Sequence, residues 1–221
     1  MPVEPGKIRN VAVVGHRSTG KTSLVEAMLF QAEAINRLGT IEAGNTTTDW
    51  DDDEHNRQMS LAASLCHAEW QGRKINLIDT PGDPGFQGDM IAALRVVEGA
   101  LVVASAVMGV EVQTTRAWQR AEEHDLSRVV FVNMLDRERA DFFRTLEQLR
   151  EQLSERCVAV HLPIGAEHEL TGIVDLLHMK AYMSPEGQRE GAPGEIPASW
   201  RARSPNTARS CSTPSSKPTR G

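Results

Sequence analysis

Eight residues near the start of the chain, Gly15 to Thr22, have the sequence G-H-R-S-T-G-K-T and match the phosphate-binding pattern G-x-x-x-x-G-K-[ST]. They follow an apolar run, residues 11–14, and precede a helical pattern. Backbone N–H groups of such a loop surround phosphate oxygens, and the helix N-terminus adds partial positive charge. Lys21 would reach the β- and γ-phosphates, and the Thr22 hydroxyl would bind Mg²⁺. The pattern predicts a nucleoside phosphate site formed by Gly15, His16, Arg17, Ser18, Thr19, Gly20, Lys21 and Thr22.

A carboxylate follows a later apolar segment. The sequence D-T-P-G, which begins at Asp79, comes directly after residues 75–78. An aspartate at a strand end can hold the Mg²⁺ shell through water, and the Gly82 amide could then approach the γ-phosphate. D-x-P-G alone is a common turn sequence. Behind a phosphate-binding loop, we interpret it as part of the same site.

A third polar group follows residues 129–132, where Asn133 to Asp136 have the sequence N-M-L-D. A carboxylate at Asp136 can accept hydrogen bonds from the N1–H and the exocyclic amine of guanine, and adenine presents no such donor pair. A mismatched buried polar group can reduce binding by a factor of order 10⁴. Asp136 therefore favours GTP over ATP. The alternative, an aspartate that caps the next helix, remains open from spacing alone.

Hydrophobic periodicity predicts the elements that position these groups. Helical patterns cover residues 21–38, 87–97, 114–123 and 141–153, and strand patterns cover residues 11–14, 60–70, 73–78, 100–106, 129–132 and 158–164. Gln71-Gly72 would join the one predicted hairpin. Strands that alternate with helices predict an α/β fold of the P-loop NTPase type, with a doubly wound, mainly parallel sheet and one antiparallel strand. Ligands in such folds lie beyond the carboxyl ends of the strands, where all three motifs fall.

Charge is distributed unevenly along the chain. Residues 44–56 are polar and acidic, and we expect a mobile loop whose acidic side chains are solvated. The net charge is −6, yet five basic residues and no acidic one follow Ala198, so the remainder carries 19 basic and 30 acidic residues. A body this acidic excludes bulk nucleic-acid binding by charge.

The cysteines and the apolar runs indicate a cytoplasmic protein. Cys66, Cys157 and Cys211 are widely spaced and form no C-x-x-C pair, which argues against a disulfide framework or a zinc site. The first ten residues lack the apolar core of an export signal. The most apolar run, residues 100–110, is too short to span a bilayer. We expect no membrane partner.

Together the three motifs resemble the G domain of translational GTPases, in particular elongation factor G and its G-like paralogues. Supporting stretches lie at residues 49–50, 57–61, 109–114, 136–137, 140–142, 163–167 and 172–175, and the resemblance covers roughly residues 8–190. It implies a domain that binds and hydrolyses GTP, with GTP or GDP and Mg²⁺ as ligands. It also implies the ribosome as a partner, in the movement of tRNA and mRNA. In that family residues 40–60 form switch I, and the segment after Asp79 forms switch II.

The resemblance assigns roles to single residues. The metal would be bound by Thr22, Ser60 and Asp79. Hydrolysis would involve Gly82, Asp83 and Ser18. The nucleotide would contact the P-loop and four further residues: Asp79, Gly82, Asn133 and Asp136.

Four positions depart from the family pattern. The family's P-loop Asp is Ser18 here, its switch II His is Asp83, the Lys of its guanine motif is Met134, and its switch I Thr is Ser60. A carboxylate near the γ-phosphate meets like-charge repulsion, and it cannot donate a hydrogen bond unless protonated, whereas a neutral His can donate or accept. We therefore expect GTP binding with slow or conditional hydrolysis. Arg17 either supplies positive charge where the family's Asp acts or is a solvated loop arginine.

We expect three segments. Residues 1–165 would form a G-domain core that lacks the family's last guanine motif, strand and helix. Residues 166–197 would begin the insertion of the G-type factors, and residues 198–221 would be an aberrant or disordered basic tail, rich in Ser, Pro, Thr and Arg. We interpret this change as the result of a frameshift near residue 198, because codons permissible for residues 205–220 can be chosen so that another frame encodes an acidic, helix-like stretch. A natural RNA-binding tail is the alternative, although it lacks interleaved aromatic residues beyond Trp200.

Other classes of function remain open. One is a nucleotide-dependent module that docks on ribosomes with little or no hydrolysis, which Ser18 and Asp83 favour. Another is a non-functional truncated product, because a missing strand and helix would leave apolar surface uncovered in a molecule of marginal stability. A P-loop ATPase or kinase is more distant. We expect a monomer.

Overall fold

A computed structural model describes residues 3–184, 192–197 and 200. These residues form two compact units, one that extends to Met134 and one that begins at Leu135. The basic tail expected at residues 198–221 lies outside the described residues, apart from Trp200. No helix in the described part of the chain is both long and apolar enough to span a membrane.

The first unit contains a five-stranded sheet. Its strands in chain order are β1 (Ile8–Gly15), β2 (Ser64–Trp70), β3 (Arg73–Asp79), β4 (Gly99–Ser105) and β5 (Ser127–Asn133). The order across the sheet is β2-β3-β1-β4-β5, in which only β2 runs antiparallel to its neighbour. This confirms the predicted mainly parallel sheet with one antiparallel strand. The hairpin turn is at Gln71-Gly72, where both residues have positive φ, as a tight two-residue hairpin requires.

Helices cover both faces of this sheet. They are α1 (Lys21–Gln31), α3 (Gln87–Leu94) and α4 (Val112–Glu123), whereas α2 (Asp52–Arg57) is a short helix in the loop before β2. Val25 and Leu29 of α1 pack with Val13 and Leu77 of the sheet. Ala12 and Val14 point to the opposite face because side chains alternate along a strand, and both are fully buried. There α3 and α4 contact β1 and each other.

Two element boundaries differ from the prediction by more than three residues. The helix expected over residues 21–38 ends at Gln31, because the chain turns at Glu33, whose φ is +55°. Ile35 still packs on the core, which explains its place in the apolar pattern. The strand expected from residue 60 begins at Ser64. The residues before it belong to the functional loop described below.

The second unit contains α5 (Phe142–Gln152) and a sheet of four short strands. These strands are β6 (His161–Ile164), β7 (Gly172–Asp175), β8 (Lys180–Met183) and β9 (Ala192–Gly194), all antiparallel to their neighbours. Val174, Ala181 and Ile196 are buried at its core. The prediction that residues 158–164 continue the mainly parallel pattern is wrong. The connection from β6 to β7 has one short 3-10 turn, and a parallel pair would need a long crossover.

Candidate nucleotide-binding site

The carboxyl ends of the parallel strands bring the first two sequence motifs and Asn133 to one edge of the first sheet. β1 ends at Gly15, directly before the phosphate-binding loop, and β3 beside it ends at Asp79. On the other side of β1, the register of β4 with β5 pairs Ser105 with Asn133. Parallel strands end on the same edge of a sheet, so these loops are neighbours.

The phosphate-binding loop has a concave backbone. Ser18 (φ +58°) and Gly20 (φ +85°) are left-handed, and alternating backbone conformations of this kind direct successive N–H groups toward one point. Within the described residues, the N–H groups of residues 17–20 donate to no other group. The buried Thr19 hydroxyl donates to the His16 carbonyl at 2.9 Å, which fixes the loop from inside. The loop therefore presents free donors to an anion, while the Ser18 side chain is exposed.

Lys21 places a buried positive charge beside these donors. Its side chain is almost fully buried, and its Nζ donates to the His16 carbonyl at 2.8 Å. Burial lowers the pKa of Lys21 to about 8, against the opposing effect of the nearby carboxylates of Asp79, Asp49 and Glu111. An anion bound in the loop would compensate this ammonium group.

Three predicted metal ligands lie together beneath the loop. The Thr22 hydroxyl donates to Asp79 Oδ2 at 2.8 Å and lies 3.1 Å from the Ser60 hydroxyl. Burial raises the pKa of Asp79 to about 6, and its second oxygen, Oδ1, is buried without a hydrogen-bond partner among the described residues. Hydroxyl and carboxylate oxygens are the ligands that Mg²⁺ prefers. This donor set, with one carboxylate oxygen unused, fits a magnesium ion.

Two further residues of this cluster were not predicted from the sequence. Thr48 donates its hydroxyl proton to Asp79 Oδ2 at 2.8 Å, and Asp49 accepts a hydrogen bond from Ser60 at 2.7 Å. Both residues are buried, and burial raises the pKa of Asp49. We expected solvated acids throughout residues 44–56, so the buried Asp49 was hidden among them. The only signal in the sequence for a functional Asp49 was the family resemblance at residues 49–50, which assigned no role to this residue.

The prediction that the acidic side chains of this loop are solvated is wrong for Asp49 and Glu54, which are both buried. Asp51 caps α2, and the buried Glu54 completes the capping box. Glu54 Oε2 accepts from the backbone N–H groups of residues 50 and 51, and Oε1 accepts from those of residues 61 and 62, at 2.9 to 3.3 Å. Glu26 of α1 similarly binds the N–H groups of Gly39 and Thr47. The carboxylate of Glu54 thus joins the two ends of this segment, and that of Glu26 attaches the segment to α1.

Gly82 lies in close contact with the phosphate-binding loop. A Cβ atom there would overlap Lys21 Nζ and would lie only 2.6 Å from the backbone nitrogen of Arg17. The next residue, Asp83, caps a short 3-10 turn by accepting from the Gly85 N–H at 2.8 Å. Its other oxygen lies 3.7 Å from Arg17 Nη1. Arg17 is thus paired with a carboxylate, a contact that was not predicted from the sequence.

The structure brings Asn133 to the P-loop. Asn133 Nδ2 donates to the Thr19 carbonyl at 2.9 Å, and its side chain would overlap a Cβ atom on Gly20. Met134, at the family's Lys position, places its methyl group 4.0 Å from that same Cβ position. Asp136 is exposed and lies in the second unit, in the turn after β5.

His16 contributes to the loop mainly through its backbone. Its carbonyl accepts from both Thr19 and Lys21, whereas its ring lies against Glu111 with Nε2 3.4 Å from Oε1. The ring nitrogen Nδ1 is buried without a partner among the described residues. The side chain is therefore held beside α4, while the carbonyl shapes the phosphate-binding loop.

Comparisons with known proteins agree with this geometry. The model of the family described as the elongation factor Tu GTP binding domain matches residues 6–195. Elongation factor G 2 of Syntrophomonas wolfei subsp. wolfei is 36% identical over 176 residues, which are 80% of this chain and 25% of that protein. Elongation factor G of Granulibacter bethesdensis is 37% identical over 182 residues, 82% of this chain and 26% of that protein.

A solved structure is similar along most of the chain. A crystal structure from Thermus thermophilus superposes with a TM-score of 0.82 at 36% identity, and covers 89% of this chain and 29% of that one. The chain spans about a quarter of the length of the two curated relatives. The family match extends over most of the sequence and includes the loop, the metal-type oxygen cluster and Asn133. The chain therefore belongs to the family of the elongation factor Tu GTP-binding domain.

Proposed function

We propose that this chain binds GTP and GDP together with Mg²⁺ and hydrolyses GTP slowly. The observation that carries the proposal is the pairing of a buried lysine with an oxygen cluster beneath a loop of free N–H donors. Asp79 keeps one buried oxygen without a partner among the described residues, and Lys21 keeps a desolvated charge. A bound nucleotide and its metal would satisfy both groups. Titration calorimetry with GDP and with GTPγS, each with Mg²⁺, tests it, and absence of binding for both would refute it.

Each part of the site has a distinct task in this proposal. The N–H groups of residues 17–20 and Lys21 would bind the phosphates, and Gly82 would leave room at the γ-phosphate. Thr22, Ser60 and Asp79 would hold Mg²⁺, with Asp49 orienting the Ser60 hydroxyl. The ion, when bound, would neutralise charge on the β- and γ-phosphates.

We expect this chain to bind GTP but to hydrolyse it slowly. A water oxygen forms a bond to the γ-phosphorus, the bond to the β–γ bridging oxygen breaks, and GDP leaves with the electron pair. The water proton ends on inorganic phosphate. Asp83 stands at the family's histidine position, and its two oxygens already face the Gly85 N–H and Arg17. A negatively charged group held in this way cannot donate to the attacking water or to the γ-phosphate.

Asp83→His is expected to raise the single-turnover rate of GTP hydrolysis by about tenfold or more, within the usual range for a positioned acid–base group. Phosphate release from the full chain with saturating GTP measures it. Asp125→His, at an exposed aspartate between α4 and β5, is the matched control and should leave the rate unchanged. An unchanged rate in Asp83→His would show that this position does not limit hydrolysis.

We propose that Asp136 selects guanine, supported by the N-x-x-D spacing that begins at Asn133. Asn133 itself would act by holding the P-loop through the Thr19 carbonyl. Asp136→Asn is expected to weaken GDP binding by about 100-fold or more, because the guanine donors lose their acceptor. Asp125→Asn is the control. Retained GDP affinity, or equal competition by ATP and GTP in the unmutated chain, would contradict the assignment.

The setting of this activity follows from the family. We propose that the chain is the nucleotide-binding part of a cytoplasmic, elongation-factor-G-like protein that acts on the ribosome as a monomer. Asp83 specifically favours a second candidate, a nucleotide-dependent ribosome-binding module with little hydrolysis. Co-sedimentation with ribosomes in the presence of GTPγS or GDP, together with phosphate release, separates the two. Binding without phosphate release would favour the second.

A further inference from the structure

Arg17 and Asp83, the residue at the family's switch II histidine position, lie beside each other in space. Arg17 is in the phosphate-binding loop, Asp83 follows β3, and Arg17 Nη1 lies 3.7 Å from Asp83 Oδ2. They belong to the first unit, so the same body of the protein holds both. Their opposite charges attract each other across two separate loops.

The pair lies at the γ-phosphate end of the proposed site. A Cβ atom on Gly82 would contact the Arg17 backbone nitrogen, the His16 backbone and Lys21 Nζ. Asp83 is covalently next to this point of contact. The Arg17 backbone and Lys21 Nζ thus approach Gly82, next to Asp83, and the outermost phosphate of a triphosphate is the group that would reach this position.

The energetics of the pair favour an exchange of partners. The Arg17 side chain is 65% exposed, and at 3.7 Å its contact with Asp83 is longer than a hydrogen bond. Exposed pairs of this kind contribute little to stability. A phosphate offers the guanidinium group a bidentate, charge-assisted contact that is much stronger. Asp83 would stay in place because its other oxygen accepts from the Gly85 N–H.

We propose that Arg17 senses the γ-phosphate by leaving Asp83 and binding the phosphate. Asp83 competes for Arg17 and repels the γ-phosphate, so the two residues together set the preference for GTP over GDP. GDP lacks the group for which they compete, and its affinity is independent of them. This inference rests on the proposed function, because it requires a nucleotide at the phosphate-binding loop.

A double-mutant cycle on the full 221-residue chain tests the exchange. Calorimetry would give the affinities of GDP and GTPγS for the unmutated chain, Arg17→Ala, Asp83→Asn and the double variant. Arg17→Ala should lower the GTPγS affinity about tenfold, and Asp83→Asn should raise it about threefold or more. GDP affinity should stay within about twofold throughout. Asp83→Asn keeps the oxygen that caps residue 85, so the turn remains.

The decisive comparison is made in the Asp83→Asn background. If Arg17 exchanges partners, adding Arg17→Ala there still lowers GTPγS affinity about tenfold, because the guanidinium contact with the γ-phosphate is lost. If Arg17 only neutralises Asp83, the added substitution changes nothing, and the inference is overturned. Arg120→Ala is the matched control, since it also removes an exposed, paired arginine of the first unit. It should leave both affinities unchanged.

Failure of the inference differs from failure of the proposed function. If the unmutated chain binds neither nucleotide, the proposed function fails and the inference falls with it. If it binds both but Arg17→Ala affects GDP and GTPγS equally, only the γ-phosphate role is overturned. Thermal unfolding of each variant identifies any loss that comes from misfolding, and Arg17→Lys should restore part of the GTPγS affinity if charge is the cause.

Discussion

Lys21→Ala is expected to weaken the binding of both GDP and GTP by at least about 100-fold. The ammonium group would contact two phosphates, and hydrogen bonds to charged groups contribute about 1.5–3 kcal/mol each. Its burial excludes water from taking over these contacts, and its Nζ is already positioned by the His16 carbonyl. Calorimetric titration with each nucleotide and Mg²⁺ measures the loss.

Lys7→Ala is the matched control for this loss, because Lys7 is an exposed lysine of the same unit that pairs only with Glu4 among the described residues. Its removal should change neither affinity. The circular dichroism spectrum of Lys21→Ala should match that of the unmutated chain, which separates lost binding from lost structure. An affinity within about threefold of the original would mean that Lys21 is not a phosphate ligand.

Gly82→Ala is expected to lower GTPγS affinity at least about tenfold more than GDP affinity. A Cβ atom at this position would overlap Lys21 Nζ and approach the Arg17 backbone nitrogen to 2.6 Å, which no side-chain rotation can relieve. The added methyl group would displace the lysine and fill the place proposed for the γ-phosphate. Parallel titrations with GDP and GTPγS give the two ratios.

Gly88→Ala provides the control, since a Cβ atom on this residue of α3 would meet nothing within 4 Å. It should leave both affinities unchanged and stabilise the helix by about 0.5–1 kcal/mol. Equal losses of affinity for GDP and GTPγS in Gly82→Ala would show that the added methyl group disturbs the whole phosphate site and not the γ-phosphate position alone. Unchanged affinities would show that the γ-phosphate does not approach Gly82.

The sheet and its helices were predictable because their signals are local. The apolar runs of β1, β4 and β5 and the turn at Gln71-Gly72 depend on neighbouring residues, and the structure confirms them. The end of α1 was not predictable, because Ile35 continues the apolar pattern while the backbone already turns at Glu33. Periodicity reports which side chains are buried, and it does not report how the chain between them runs.

Part of the ligand-facing half of the site could not be predicted from the sequence, because it depends on contacts between residues that are far apart in the chain. From the sequence, Asp49 and Glu54 are predicted to be solvated acids. In the structure, Asp49 accepts a hydrogen bond from Ser60, and Glu54 accepts from the backbone N–H groups of residues 61 and 62. The pairing of Arg17 with Asp83 likewise joins two loops, and neither loop indicates it alone. The antiparallel partner of β6 was hidden for the same reason, since a four-residue apolar segment does not specify its neighbour.

The hairpin of β2 and β3 has a mechanical consequence. Its register places Ser64, at the start of β2, opposite Asp79, at the end of β3, and the Ser64 hydroxyl also donates to the Thr48 carbonyl at 2.7 Å. The loop that contains Thr48 and the loop that follows Asp79 are therefore both attached to the residue pair Ser64–Asp79. Because both loops are attached to this pair, a displacement of the edge strand β2 is expected to move both attachment points together. The loops are expected to open as a single collective motion with one relaxation rate.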